Sequence, residues 1–178
     1  MAYGPASAYA YVANERMKTL AEERQRQKKW DIRFLKMAQM VSTWSKDPST
    51  QTGAVIIRPD KSVCSVGFNG FPMGTDDNPE IYADRETKYQ KIVHCEMNAH
   101  AFARERVDGY TLYTWPFFSC DRCCAHMLQY GITRLVSPEC PEHLLERWQP
   151  TFDRAWAWCK EKGVPYELIK LEEINELG

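Results

Sequence analysis

No stretch of the chain reaches the ~18 uninterrupted apolar residues of a membrane-crossing helix, so no membrane span is expected. No secretion signal is expected either. The opening MAYGPASAYA has neither a basic start nor an apolar core. Excess positive charge is also lacking: 23 Lys and Arg stand against 24 Asp and Glu, a formal net charge of −1. Proteins that grip polymeric nucleic acid usually carry a basic footprint. A polymer is therefore not the expected partner, whereas one small anion needs only a few local donors. Internal repeats and low-complexity blocks are absent. The 7 cysteines are odd in number and follow no signal, which fits a reducing compartment, with the cytoplasm as the expected location.

What is present is an ordinary globular balance, 44% apolar and 26% charged over 178 residues. That length suits one domain with modest extensions. The expected division is an arm and polar helix over residues 1–29, a folded domain over 30–170 and a tail over 171–178. Residues 1–12 read as a loose arm whose Tyr3, Tyr9 and Tyr11 could dock on a neighbour. Residues 14–29 are helix formers with few apolar positions, the pattern of a solvated helix. From Trp30 to about Ser45 the apolar Ile32, Leu35, Met37, Met40, Val41 and Trp44 recur at helical spacing. Asp47-Pro48 ends that helix.

Gly53–Arg58 and Ser62–Gly67 flank a tight turn and predict a hairpin. A loop and a short helix are expected over 68–92, then helix from Val93 to about Arg106. A strand at Tyr110–Thr114, a helix at Asp121–Tyr130 capped by Gly131, and a strand at Arg134–Ser137 follow. The last helix runs from about Pro141 to Lys162, with a break expected near Pro150, and Val164–Lys170 forms the final strand. This order predicts an α/β fold, one five-stranded sheet covered on both faces.

Three residues form a metal-ligand pattern: His94, Cys120 and Cys123. Each group stands at the start of an expected helix, where free backbone N–H groups and the positive dipole end favour thiolate. Imidazole and thiolate suit tetrahedral zinc. Three protein ligands leave the fourth position for water, the mark of a catalytic site. Glu96, two residues past His94, can face that water without being a ligand and move its proton. Taken singly, a core histidine, a helix N-terminal carboxylate or a redox C-x-x-C pair would explain these residues better. Together they match the H-x-E and C-x-x-C signature of zinc deaminases.

Around these residues the chain resembles the deoxycytidylate (dCMP) deaminase family of the cytidine-deaminase-like fold, over about Trp30 to Lys170. The likeness rests on Ser45–Pro48, Gly53–Ile56, the G-F-N-G-F-P-M-G run at Gly67–Gly74, Thr87–Tyr89, His94–Ala99, Cys120-x-x-Cys123 and Gln129–Ile132. It implies a three-layer α-β-α sandwich with a mixed sheet, and hydrolytic deamination of dCMP to dUMP; the alternatives are deamination of cytidine or a 5-substituted dCMP, or a non-catalytic zinc-stabilised binding module. His94, Cys120 and Cys123 would hold one zinc per chain, Glu96 would shuttle protons, and Asn69 would face the nucleotide sugar. The plain alternative for Phe68-Asn69-Gly70 is turn chemistry. A homo-oligomer, with a hexamer favoured, and dCTP or dTTP as allosteric ligands are further implications.

Three positions depart from the family pattern. Cys95 stands where Ala is usual and is expected to pack inward. Ser119 stands where Pro is usual, which leaves the loop Trp115–Ser119 open. Cys124 replaces Ala and reads as a small buried residue. Trp115, Phe117 and Phe118 are candidates for the base pocket, with core packing as the alternative. Lys46, Arg85 and Lys88 are candidates for the phosphate, with solvated surface charge as the alternative.

Overall fold

The computed structural model describes the backbone of residues 5–176 and the side chains of residues 13–176. A single helix α1, Pro5–Ser42, carries the chain to the sheet. Its 38 residues span roughly 57 Å at helical rise. The loose arm expected over residues 1–12 is therefore helical from Pro5, and the boundary expected at residue 29 falls inside an unbroken helix. Ala, Glu, Arg, Lys and Gln run through it, so no residue stops propagation. Tyr3, and the side chains of Tyr9 and Tyr11, lie outside the described residues.

The strands are β1 (Gly53–Ile57), β2 (Val63–Phe68), β3 (Thr111–Trp115), β4 (Arg134–Pro138) and β5 (Tyr166–Ile169). Between β2 and β3 come the short helices α2 (Pro79–Ala83) and α3 (Arg85–Lys91), then α4 (Cys95–Phe102). Helices α5 (Asp121–Gln129) and α6 (Glu142–Lys162) flank β4, and α7 (Leu171–Glu176) ends the described chain. The expected tail thus carries a helical turn, held by its buried Ile174. Helix α6 passes through Pro150 without the expected break. Buried Phe152, Ala155 and Cys159 pin one face of it to the core at helical spacing.

One mixed sheet results, in the order β2-β1-β3-β4-β5. Strand β1 runs antiparallel to β2 and β3, whereas β3, β4 and β5 are parallel. Strand alternation sorts the core into two layers. Ala54, Ile56, Leu112 and Leu135 meet α4, α5 and α6 on one face. Their neighbours Val55, Ile57, Tyr113 and Val136 meet α1 and α7 on the other. The three-layer sandwich with a five-stranded mixed sheet is therefore present as expected.

One buried ion pair ties α1 to the sheet. Arg134 grips Asp31 through two bonds of 2.7 and 2.8 Å, and the Tyr113 hydroxyl donates to the same carboxylate at 2.7 Å. Among the described residues no helix is long and apolar enough to cross a membrane.

Candidate active site

His94 owes its position to the G-F-N-G run. Gly70 and Val93 form a two-bond antiparallel bridge at 3.1 and 2.8 Å, which delivers the next residue, His94, to the N-cap of α4. The imidazole makes no capping bond, so its ring nitrogens are available. Gly67 lets α4 lie directly on β2. A Cβ there would stand 2.2 Å from the Ala99 nitrogen and 2.5 Å from the Cys95 oxygen. Cys120 is the N-cap of α5, where its sulfur accepts the Cys123 N–H at 3.5 Å. Two helix N-termini thus converge, and their partial positive charges favour thiolate.

The His94 Nδ1 lies 3.5 Å from Cys120 Sγ and 3.4 Å from Cys123 Sγ. The three donor atoms all fall within 4.8 Å of one another. Tetrahedral zinc, with Zn–S near 2.3 Å and Zn–N near 2.0–2.1 Å, would separate nitrogen and sulfur by ~3.5 Å. The donor set and its spacing fit that ion. Among the described residues the group has three donors, with Cys95 and Glu96 outside it.

The cluster is electrostatically coupled. Contact with Cys123, and then with His94, brings the Cys120 thiol down to about 5 against the opposing effect of burial. The contact with Cys120 and burial push Cys123 upward. Hydrogen bonding to Cys120 raises His94 to about 9. The metal-free arrangement is one thiolate between a protonated imidazole and a protonated thiol.

Glu96 is buried in the first turn of α4. The Cys95 thiol, itself buried, lies 3.2 Å from Glu96 Oε2 and donates to it. Burial pushes the Cys95 thiol up, so it keeps its proton as donor. Cys95 therefore packs inward, as its place beside His94 suggests, and it also steadies the carboxylate. Cys124 is fully buried under α6, in agreement with its reading as a small core residue.

His94, Cys95, Glu96 and Cys120 line a cavity of about 400 Å³. Its wall includes Trp115, Phe117 and Phe118, two of which are also core: Phe117 and Phe118 pack on Phe152. Wall and core are thus one cluster, so the two readings of these aromatics do not compete. The Trp115–Pro116 peptide at the start of this loop is cis.

Asn69 also lines the cavity, but its amide has structural work. Oδ1 accepts the Thr52 N–H at 2.7 Å, and Nδ2 donates to the Thr50 carbonyl at 2.9 Å and to Asp47 at 3.4 Å. Both amide hydrogens are engaged, which leaves one Oδ1 lone pair unused.

The three phosphate candidates separate. Lys46 does not reach this cavity: it lines a different groove and pairs with Asp77 at 2.5 Å. Lys88 lines the cavity but is no solvated charge. It is buried against Asp47 at 3.1 Å and Ser49 at 3.0 Å. Arg85 lines the rim and is exposed. Sequence reasoning missed Arg147, Trp148 and Tyr82, which complete the lining from α6 and α2. Their signal was faint, since an arginine on an amphipathic helix reads as solvated.

Residues 28–138 match the family model described as cytidine and deoxycytidylate deaminase zinc-binding region. The chain belongs to this family. It is 45% identical, over 147 residues, to a protein of Aliivibrio fischeri named uncharacterized deaminase in luxG 3′ region, covering 83% of this chain and 98% of that one. A probable deoxycytidylate deaminase of Caenorhabditis elegans is 35% identical over 146 residues, 79% of this chain and 70% of that one. In solved structures, the dCMP deaminase of the cyanophage S-TIM5 in apo form aligns with a TM-score of 0.58 at 20% identity, over 78% of this chain and 96% of that one. The same enzyme in complex with dCMP and dUMP aligns with a TM-score of 0.56 at 22% identity, over 76% of this chain and 93% of that one. At that identity the likeness concerns the fold. His94, Glu96, Cys120 and Cys123 all lie within the matched residues 28–138.

Proposed function

We propose that this chain deaminates dCMP to dUMP and ammonia by zinc-dependent hydrolysis. The observation that carries this reading is the convergence of His94, Cys120 and Cys123 beside a buried carboxylate that is not part of the metal group. His94 Nδ1 and the two sulfurs would hold one zinc per chain. Zinc, when bound, supplies the Lewis acid that makes water nucleophilic near neutral pH.

The protein's own groups do the rest. The Glu96 carboxylate takes a proton from the attacking water and delivers it to ring N3. A C–O bond forms at C4. Glu96 then takes the proton of the new C4 hydroxyl and passes it to the exocyclic nitrogen; the C4–N bond breaks as the C4 carbonyl forms, and ammonia leaves. Trp115 and Phe117 flank the flat ring, and Asn69 offers its remaining lone pair to the sugar. The Cys95 thiol keeps Glu96 from rotating away between the two transfers.

A homo-oligomer belongs to the same proposal. Trp44, Phe68, Met73 and Phe102 are exposed along the groove beside β2, the free edge of the sheet. Allosteric binding of dCTP or dTTP, and a cytoplasmic setting, complete the reading. It is tested by offering the purified protein dCMP, CMP, deoxycytidine, dCTP and 5-methyl-dCMP and following ultraviolet absorbance. Fastest turnover of dCMP is expected. Preference for another member of the set, or no ammonia from any, would overturn the substrate assignment.

A further inference from the structure

We propose that Arg85 and Arg147 form a grip for the substrate's 5′-phosphate at the mouth of this cavity, with Tyr89 holding the two guanidinium groups on target. The proposal rests on the deaminase reading and names the chemistry that separates a nucleotide from a nucleoside there.

Both arginines converge on one oxygen. Arg85 Nε lies 3.0 Å from the Tyr89 hydroxyl and an Arg147 terminal nitrogen lies 2.6 Å from it. Two cations sharing one neutral acceptor repel each other. Three other cations do face carboxylates: Lys88 faces Asp47, Lys46 faces Asp77 and Arg154 faces Asp121. Among the described residues, neither Arg85 nor Arg147 has a carboxylate within 4.0 Å. A dianion is the ligand that removes this repulsion, and planar guanidinium groups bind phosphate oxygens in pairs.

The surroundings agree. Arg85 and Tyr89 come from α3 and Arg147 from α6, so two separate elements supply the grip. These rim residues are exposed, whereas Glu96 on the floor is buried. That gradient suits a ligand with a flat base at one end and a charged, hydrated group at the other. Arg147 is steadied over the Trp148 ring, 5.2 Å from its centroid, and Trp148 in turn packs on Phe117. Partial burial would raise the Tyr89 phenol, yet the two arginines bring it below its ordinary value. The pair therefore places positive potential on that one oxygen. Arg147 lies beyond residues 28–138, so the family match does not reach it.

The rival explanation is a latch, in which Tyr89 merely fastens α3 to α6. Two measurements on the zinc-loaded full chain separate them. Calorimetry compares dUMP with deoxyuridine, and steady-state kinetics compares dCMP with deoxycytidine, for wild type, R85Q, R147Q and Arg147→Lys. The grip predicts that each glutamine variant lowers the nucleotide-over-nucleoside preference roughly 10–100-fold, the range for losing a charged hydrogen bond. The kinetic loss should fall mainly on KM, and Arg147→Lys should restore part of it. A latch weakens nucleotide and nucleoside together and leaves the ratio unchanged, which would overturn the proposal. Wild type that binds dUMP no better than deoxyuridine would overturn it as well. Wild type that discriminates in calorimetry but deaminates neither substrate would refute the deaminase reading and leave the anion grip standing.

Discussion

His94 and Cys123 hold protons that zinc must displace. In the metal-free fold His94 is raised to about 9 from an ordinary 6.5, chiefly by its bond to Cys120. Its proton therefore stabilises the metal-free fold fully below about 6.5, and that contribution fades as pH rises through about 9. Zinc competes with the same proton, so affinity for zinc moves the other way. Cys120, brought down to about 5, is already thiolate at neutral pH, whereas Cys123 is not. Zinc uptake at neutral pH should release about two protons, and affinity should climb as pH rises from about 6.5 toward about 9. Calorimetry in buffers of different ionisation enthalpy measures both. Uptake without proton release would contradict this protonation pattern.

Residue identities were legible where chemistry is local. His94 and Glu96 share one helix start, and Cys120 and Cys123 share another. Spacing alone therefore carries them. The pairings of Lys46 and Lys88 were not legible because Asp77 and Asp47 are remote in sequence and only the fold brings them together; Lys46 is the exposed charge its alternative reading gave, whereas Lys88 is buried. Arg147 had no local signature at all; only the fold brings it beside Arg85 at the Tyr89 hydroxyl.

Among the elements, α4 has the tightest seat. It rests on Gly67 of β2 with no room for a methyl group. Gly67→Ala should drive the helix outward and lower stability by about 2–3 kcal/mol, the cost of overpacking a rigid contact. Because α4 carries His94 and Glu96, zinc content should fall as well. Urea unfolding and metal analysis check this, and a variant as stable and as zinc-loaded as wild type would refute the close-packing account.

Strands and amphipathic helices were legible because burial on both faces makes β1 and β3 short runs rich in β-branched and aromatic residues, and because burial of one face imposes helical spacing on α6. The continuity of α1 was not. Residues 13–26 are exposed, so no apolar period marks them as one helix with the buried Ile32–Val41 segment. Local propensity, not packing, carries the helix across that junction. Pro150 misled in the opposite direction, since packing of Phe152, Ala155 and Cys159 overrides the residue's usual effect.

At the scale of the whole molecule, the sheet changes from antiparallel to parallel pairing at β3, and the cavity opens at that strand's carboxyl end, where Thr114 and Trp115 line it. Such switch points are where open α/β sheets bind ligands. The buried Asp31–Arg134 pair fixes α1 behind the sheet, leaving α4, α5 and α6 to build the site in front. Every part of the proposed chemistry then depends on a division of labour: three side chains would hold a metal, and a fourth would move protons. Glu96→Ala, assayed together for zinc content and for loss of ammonia from dCMP, tests that division most directly. The account predicts zinc retained at the wild-type level and a rate lowered about 10²–10⁴-fold, the contribution of a positioned general acid–base group. Zinc-loaded Glu96→Ala that still turns over dCMP at the wild-type rate would contradict it.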